Sequence, residues 1–282
     1  MSRLYLRRVV LDVEPEGGSG RRIEQLRIKF NIEKTNDSSP NTARIEIYNL
    51  SDASRGILES GKTRVILHVG YQDTVEAIFS GDVSKLTHKN KTKTKTKNKT
   101  LSVTHHSDGP DVVTTIEVAD GDNRYRNARF NSGFPPTTNL QVILDSCQTK
   151  LGLAKGTQEG IPNKTYAHGF SHSGLVREAL NDLCQANDLE WSIQNEKLQI
   201  LPKSAASSED EIYLTSDTGL IGSPNKTAKG VEFVSLVQPR LIPGKKVSLS
   251  SRLVTGTFKL QKVVHRGDAH QGDFYSMCEA TA

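Results

Sequence analysis

Cysteine, aromatic side chains and long apolar runs are all scarce in this sequence, and each scarcity removes a class of protein. Three cysteines, Cys147, Cys184 and Cys278, stand far apart with no CxxC pair, so no disulfide framework is expected and a reducing compartment fits best. Cys147 and Cys184 fall within apolar helical patterns and read as buried small hydrophobes, not reactive thiols. Aromatics make up 6% of the residues, lean for an enzyme with a deep pocket but ordinary for sheets that bury one face. No stretch approaches the about 20 apolar residues of a membrane-spanning helix. The opening MSRLYLRRVVLDVEPEGG alternates charged and apolar residues, unlike the unbroken apolar core of a signal peptide. A soluble chain made in a cytoplasm, without stable membrane insertion, is expected.

Catalytic signatures are missing as well. No GxSxG, HExxH, P-loop or GxGxxG in its strand and helix context occurs, and no Ser or Cys has a base motif nearby. The sequence therefore predicts no catalytic residue, no cofactor and no metal.

What is present reads mainly as strand. At 282 residues the chain exceeds the usual compact domain, so two or three units around separate small cores are expected. Alternating apolar residues predict strands over Leu4 to Val13, Leu26 to Glu33, Ala43 to Asn49, a stretch through Val65, Leu67 and Val69, Val75 to Val83 and Val112 to Val118. A short helix over Ser51 to Ser60 interrupts them, with Ser51 as N-cap and Gly61 as stop. Helical spacing then appears at Leu140, Ile143, Leu144, Cys147 and Leu151, and again from Leu175 to Cys184. A hairpin with its turn at Asn195 and Glu196 follows, and Ser204 to Glu211 reads as a linker. Strand patterns return at Val231 to Val237, Lys246 to Ser250, Gly256 to His265 and Phe274 to Ala280. The expected fold is mainly β (α+β): antiparallel β domains at 1–125 and 211–282 bracketing a small α/β domain at 126–210. That order suits an internal duplication, although no residue-level repeat is visible.

The formal charge of +5 comes from one place. Lys85, Lys89, Lys91, Lys93, Lys95, Lys97 and Lys99 lie in a run without acids; removing these seven leaves 30 basic against 32 acidic residues. As a strand the run would project its lysines to one side about 6 to 7 Å apart; as a loop it would repel itself open. The loop or hairpin tip is the simpler reading, with contact to phosphates or an acidic partner as the functional one. No aromatics are interleaved to stack bases.

Other candidates have plainer explanations. His265, Asp268, His270 and Asp273 form H-x-x-D-x-H-x-x-D, but Gly267 and Gly272 make a hairpin connection the better reading than a metal site. Asp108, Asp111, Asp120 and Asp122 flank a strand and suit turns and caps. His168 and His172, in YAHGFSHSG, read as a loop leading into the Leu175 helix, since Gly169 discourages a helical ligand pair.

FNIEKTNDSSPNTARIEIYNLS (Phe30 to Ser51), IFSGDV (Ile78 to Val83), DVVTTIEVADGD (Asp111 to Asp122), PGKKVSL (Pro243 to Leu249) and GTFKLQKVVHRGDAHQGDFYSMCEA (Gly256 to Ala280) resemble, in this order, segments of the baseplate hub proteins of contractile-tailed phages. The lysine run is a departure from that family. The resemblance implies a structural, non-enzymatic homotrimer whose two tube-like domains per chain form a pseudo-six-fold ring. It also implies a tail tube protein above, a central spike protein below, a share in lining the lumen, and a place in the virion after assembly in the host cytoplasm; the charge of the lysine run, and not the resemblance, suggests contact with the tape measure protein or transiently with DNA in the lumen. Another tube-like component, such as a distal tail protein or tube initiator, and a nucleic-acid-binding protein using the lysine run are the alternatives.

Overall fold

The computed structural model describes residues 6–59, 63–72, 74–83 and 103–282. The first part contains β1 (Arg7–Pro15), β2 (Arg21–Ile23), β3 (Ile28–Thr35), β4 (Thr42–Tyr48), α1 (Asp52–Glu59), β5 (Thr63–Tyr71), β6 (Thr74–Val83), β7 (Val103–Asp108) and β8 (Asp111–Ala119). The middle contains α2 (Asp122–Asn127), β9 (Arg129–Phe134), β10 (Thr138–Asn139), α3 (Leu140–Leu151), β11 (Ala154–Gln158), β12 (Thr165–Tyr166), β13 (Phe170–Leu175), α4 (Val176–Gln185), β14 (Leu189–Gln194) and β15 (Lys197–Pro202). The last part contains β16 (Ile212–Leu214), β17 (Leu220–Thr227), β18 (Gly230–Leu236), β19 (Lys246–Ser250), β20 (Thr255–Asp268) and β21 (Phe274–Thr281).

The architecture is mainly β, dominated by one large sheet that is antiparallel except where β16 runs parallel to β19. Its path runs β17-β18-β21-β20-β3-β4-β8-β6-β5-β1-β2, with β7 beside β8 and β16 reaching β20 through β19. The alternation read from sequence is what makes this possible. In β3, Ile28, Phe30 and Ile32 are buried, whereas Lys29, Asn31 and Glu33 take the opposite face.

First and last parts meet along β20. Its beginning, Thr255 to Lys259, pairs with β19; after an irregularity between Leu260 and Lys262, its end, Lys262 to Asp268, pairs with β3. A bulge lets one strand leave one partner and take another, so the fourteen residues of β20 weld two sheets into one.

Three apolar clusters lie along this framework. The first gathers β1, β3 to β6 and β8 and also takes in Val237 and Phe274 from the last part. The second is confined to the middle, from Phe130 to Ile200, where α3 and α4 pack beside the hairpin of β14 and β15. The third holds Ile212, Phe233, Val247, Val263 and their neighbours. Helix α3 starts where the Asn139 side chain accepts the Gln141 amide at 2.8 Å and stops at Gly152, φ +70°.

Two sequence readings change here. YAHGFSHSG is not all loop: Phe170–Leu175 is a strand pairing with Arg129–Phe134, because neither ribbon could satisfy its backbone alone. Ser204 to Glu211 is no free linker. Ser207 is buried, its amide donates to the Gly244 carbonyl at 2.9 Å, and the Ser208 amide donates to Glu159 at 2.7 Å.

Candidate assembly interface

The face of the large sheet turned away from the core divides by chemistry. Across the last strands the register aligns Ile221, Val234, Met277 and Val264 into one apolar row. Ile221 is exposed and the other three are half-buried. Over β3, β4 and β8 the same face is polar and charged: Arg266 donates to Asn31 at 3.1 Å, Arg44 pairs with Glu46 at 3.1 Å, and Lys262 pairs with Glu33 at 2.5 Å. The face is thus apolar at one end of the sheet and charged at the other.

Both ends of the sheet path are blunted. One ends in the three-residue β2; the other ends in β17, which carries Pro224 and a register shift between Ile221 and Asn225. Proline and bulges are the devices by which an edge strand refuses indiscriminate partners.

A groove of about 660 Å³ separates the end of β5 and the start of β6, at Gly70, Tyr71, Thr74 and Glu76, from the stretches 210–218 and 237–245. Glu76 and Arg240 face each other within it at 3.5 Å. Tyr213 lines it with 65% of its surface exposed, and its hydroxyl donates to Glu211 at 3.2 Å. Leu253, 69% exposed, is another large apolar side chain left uncovered. Sequence reasoning passed over Tyr213 and Leu253; the signal for Tyr213 was its place between Ile212 and Leu214, which alternation turns inward.

Lys85, Lys89, Lys91, Lys93, Lys95, Lys97 and Lys99 lie outside the described residues. The four aspartates do not converge. Asp111 accepts from Asn49 at 2.8 Å, Asp122 pairs with Arg126 at 2.6 Å, Asp108 accepts from Tyr48 at 3.3 Å, and Asp120 is fully buried. His265 is buried with its Nδ1 2.8 Å from the Ser276 hydroxyl; burial, reinforced by the Lys34 charge, pulls it down to about 3, so its ring is neutral. Asp268 accepts the His270 amide at 2.9 Å and closes the hairpin between β20 and β21. Among the described residues no group of three or more His, Cys, Asp or Glu could hold a metal ion, and no helix is long and apolar enough to cross a membrane. All three cysteines are buried, and burial pushes Cys147 and Cys184 up to about 12.

The family model described as Baseplate hub gp41 matches residues 6–280. The chain belongs to that baseplate hub family. As a hub-family chain it is a structural phage tail component, and its fold is found in solved tail proteins of very different sequence. A 43 kDa tail protein of prophage MuSo2 from Shewanella oneidensis superposes with a TM-score of 0.63 at 9% identity, covering 98% of both chains. A tail protein from Neisseria meningitidis MC58 gives 0.60 at 8% identity, over 97% of this hub chain and 96% of its own. An E. coli protein described as a component of the type VI secretion system, with structural similarity to the T4 tail proteins gp27 and gp5, gives 0.57 at 10% identity, over 95% and 76%. None of the curated proteins matches the chain.

Proposed function

We propose that this hub-family chain forms a homotrimeric ring that adapts a six-fold tail tube to a three-fold central spike and lines the channel through the baseplate. The observation that carries the reading is β20: by pairing with β19 and then with β3, it makes the sheets of the first and last parts one wall. Three copies of a chain with two joined sheets supply six sheet units, the number a six-fold tube end requires. In this reading 1–125 and 211–282 are the tube-like domains and 126–210 is the middle domain carried on them.

The ring meets the tube protein above, the spike below and the tape measure in its lumen, and works mechanically in the virion. The open sheet face, with its apolar row and charged half, and the groove at Tyr213 are the surfaces available for these contacts. Lys85 to Lys99 supply positive charge for an acidic partner or for passing DNA.

The test is the mass of the purified protein in solution, alone and mixed with the spike protein, by light scattering coupled to size exclusion. A trimer, formed alone or only with spike, is the expected result. A chain that stays monomeric with spike and binds DNA in a steeply salt-dependent way would overturn the ring in favour of a nucleic-acid-binding role.

A further inference from the structure

The middle part touches the large sheet through polar chemistry while keeping its apolar core to itself. Its cluster draws only on residues from Phe130 to Ile200. It meets the sheet at several points, among them Gln199, which donates to the Pro243 carbonyl at 3.0 Å, and the tip of the hairpin between β14 and β15, a two-residue turn with Asn195 and Glu196 at φ +53° and +60°. Two successive residues in that left-handed region form the tight hairpin turn whose twist matches its strands.

Beyond the last residue of β8, the carboxylate of Asp120 accepts the backbone amides of both turn residues, each at 2.6 Å. Lys34, fully buried on β3, donates to the Asn195 side chain at 2.8 Å. The Glu196 carboxylate receives Arg64 at 2.6 Å and the Ser80 hydroxyl at 2.5 Å. Asn41 donates to the Ile193 carbonyl at 2.7 Å, and Gln194 donates to the Thr35 carbonyl at 2.8 Å. A second anchor lies on β20, where Lys259 reaches Glu190 at 2.7 Å and the Pro202 carbonyl at 2.8 Å. Apolar contact at the tip is slight; Gly121 sits where a Cβ would meet Ile193 and Leu153 at 3.4 Å.

Such a joint behaves differently from a core. Apolar contact weakens gradually as surfaces part, but a carboxylate and the two amides it holds bear their full desolvation cost if left buried and unpaired, so a half-open joint is disfavoured until water reaches them. Burial pushes Asp120 up to about 6 and Lys34 down to about 8, so the surroundings resist both charges and the joint holds them against that resistance.

We propose that the hairpin of β14 and β15 is a releasable key: the middle part folds on its own core and is locked to the sheet by Asp120 and its neighbours, so that it separates as one body when the key withdraws. This makes it the moving element of the hub chain, with the large sheet as the fixed one. The claim concerns each chain and stands apart from the number of chains in the ring.

Hydrogen exchange read by mass spectrometry on the full chain tests it, comparing the unaltered protein with Asp120→Ala and Lys34→Met. In both variants, peptides over the turn and over 34–41 should exchange at least about ten-fold faster, while peptides over α3, α4 and β21 keep the protection of the unaltered chain. Equal loss of protection in α3 and α4 would show one cooperative core and overturn the proposal. So would an unchanged turn in Asp120→Ala. Should a variant fail to fold, the unaltered chain in increasing urea answers the same question: the turn must lose protection at lower urea than the helices, and simultaneous loss overturns the key.

Discussion

Asp268 carries much of the closing hairpin on one side chain. Its carboxylate accepts the His270 amide and takes Arg27 in a two-pronged contact, with distances of 2.7 and 3.1 Å to one oxygen. Burial works against the charge, but the Arg27 guanidinium and the turn amides outweigh it and hold the carboxyl below the usual carboxylate range. A carboxyl depressed by folding contributes stability that is complete above its unfolded pKa of about 3.9 and is lost as pH falls through the lower folded value. Asp268→Ala should therefore cost about 2 kcal/mol at pH 7, and the gap from the unaltered chain should shrink below about pH 4. Urea unfolding at both pH values checks this, and an equal gap at each would contradict it. The turn role of Asp268 was legible, since flanking glycines in a strand pattern announce a hairpin. The burial of Asp120 was not, because the amides it binds lie 75 and 76 residues away in sequence.

Among the elements, β20 shows how a strand is fitted to what crosses it. A Cβ on Gly267 would stand 2.3 Å from the Phe30 ring and 3.0 Å from Phe274. Those two rings meet edge to face with centroids 6.1 Å apart, and Tyr71 joins Phe274 at 5.5 Å. Gly267→Ala forces this cluster apart and should destabilise by about 1–3 kcal/mol; an unchanged melting temperature would show that the rings have room to yield. Most elements were readable from period alone. The first helix, expected over Ser51 to Ser60, forms at Asp52–Glu59, and the hairpin at Asn195 and Glu196 forms as expected. The strand Phe170–Leu175 was missed because between Phe170 and Leu175 it holds only Ser, His, Ser and Gly, with no apolar alternation, and what makes it a strand is its partner, Arg129–Phe134. Ser204 to Glu211 carries the composition of a linker; the Gly244 carbonyl and Glu159 that tie it down are distant in sequence.

For the whole molecule, charge is concentrated while structure is spread out. Seven of the 37 basic residues fall within Lys85 to Lys99, and the remainder is slightly acidic. On the proposed reading, changing all seven lysines to serine should reduce incorporation of the chain into tail particles and flatten the salt dependence of its association with an acidic tail partner. Particle assembly and infectivity equal to the unaltered chain would remove any role for that charge. The sequence by itself determined the mainly β character, the placement of the two longest helices in the middle and the hub resemblance, because side-chain alternation, helical period and motif order are local and need no knowledge of neighbours. Only the tertiary structure decided that β20 passes from β19 to β3 and so makes one sheet of two, and that Asp120 receives a turn from the middle of the chain. Strand pairing and buried hydrogen bonds are satisfied by partners far away in sequence, and nothing in a local pattern states which partner will be found.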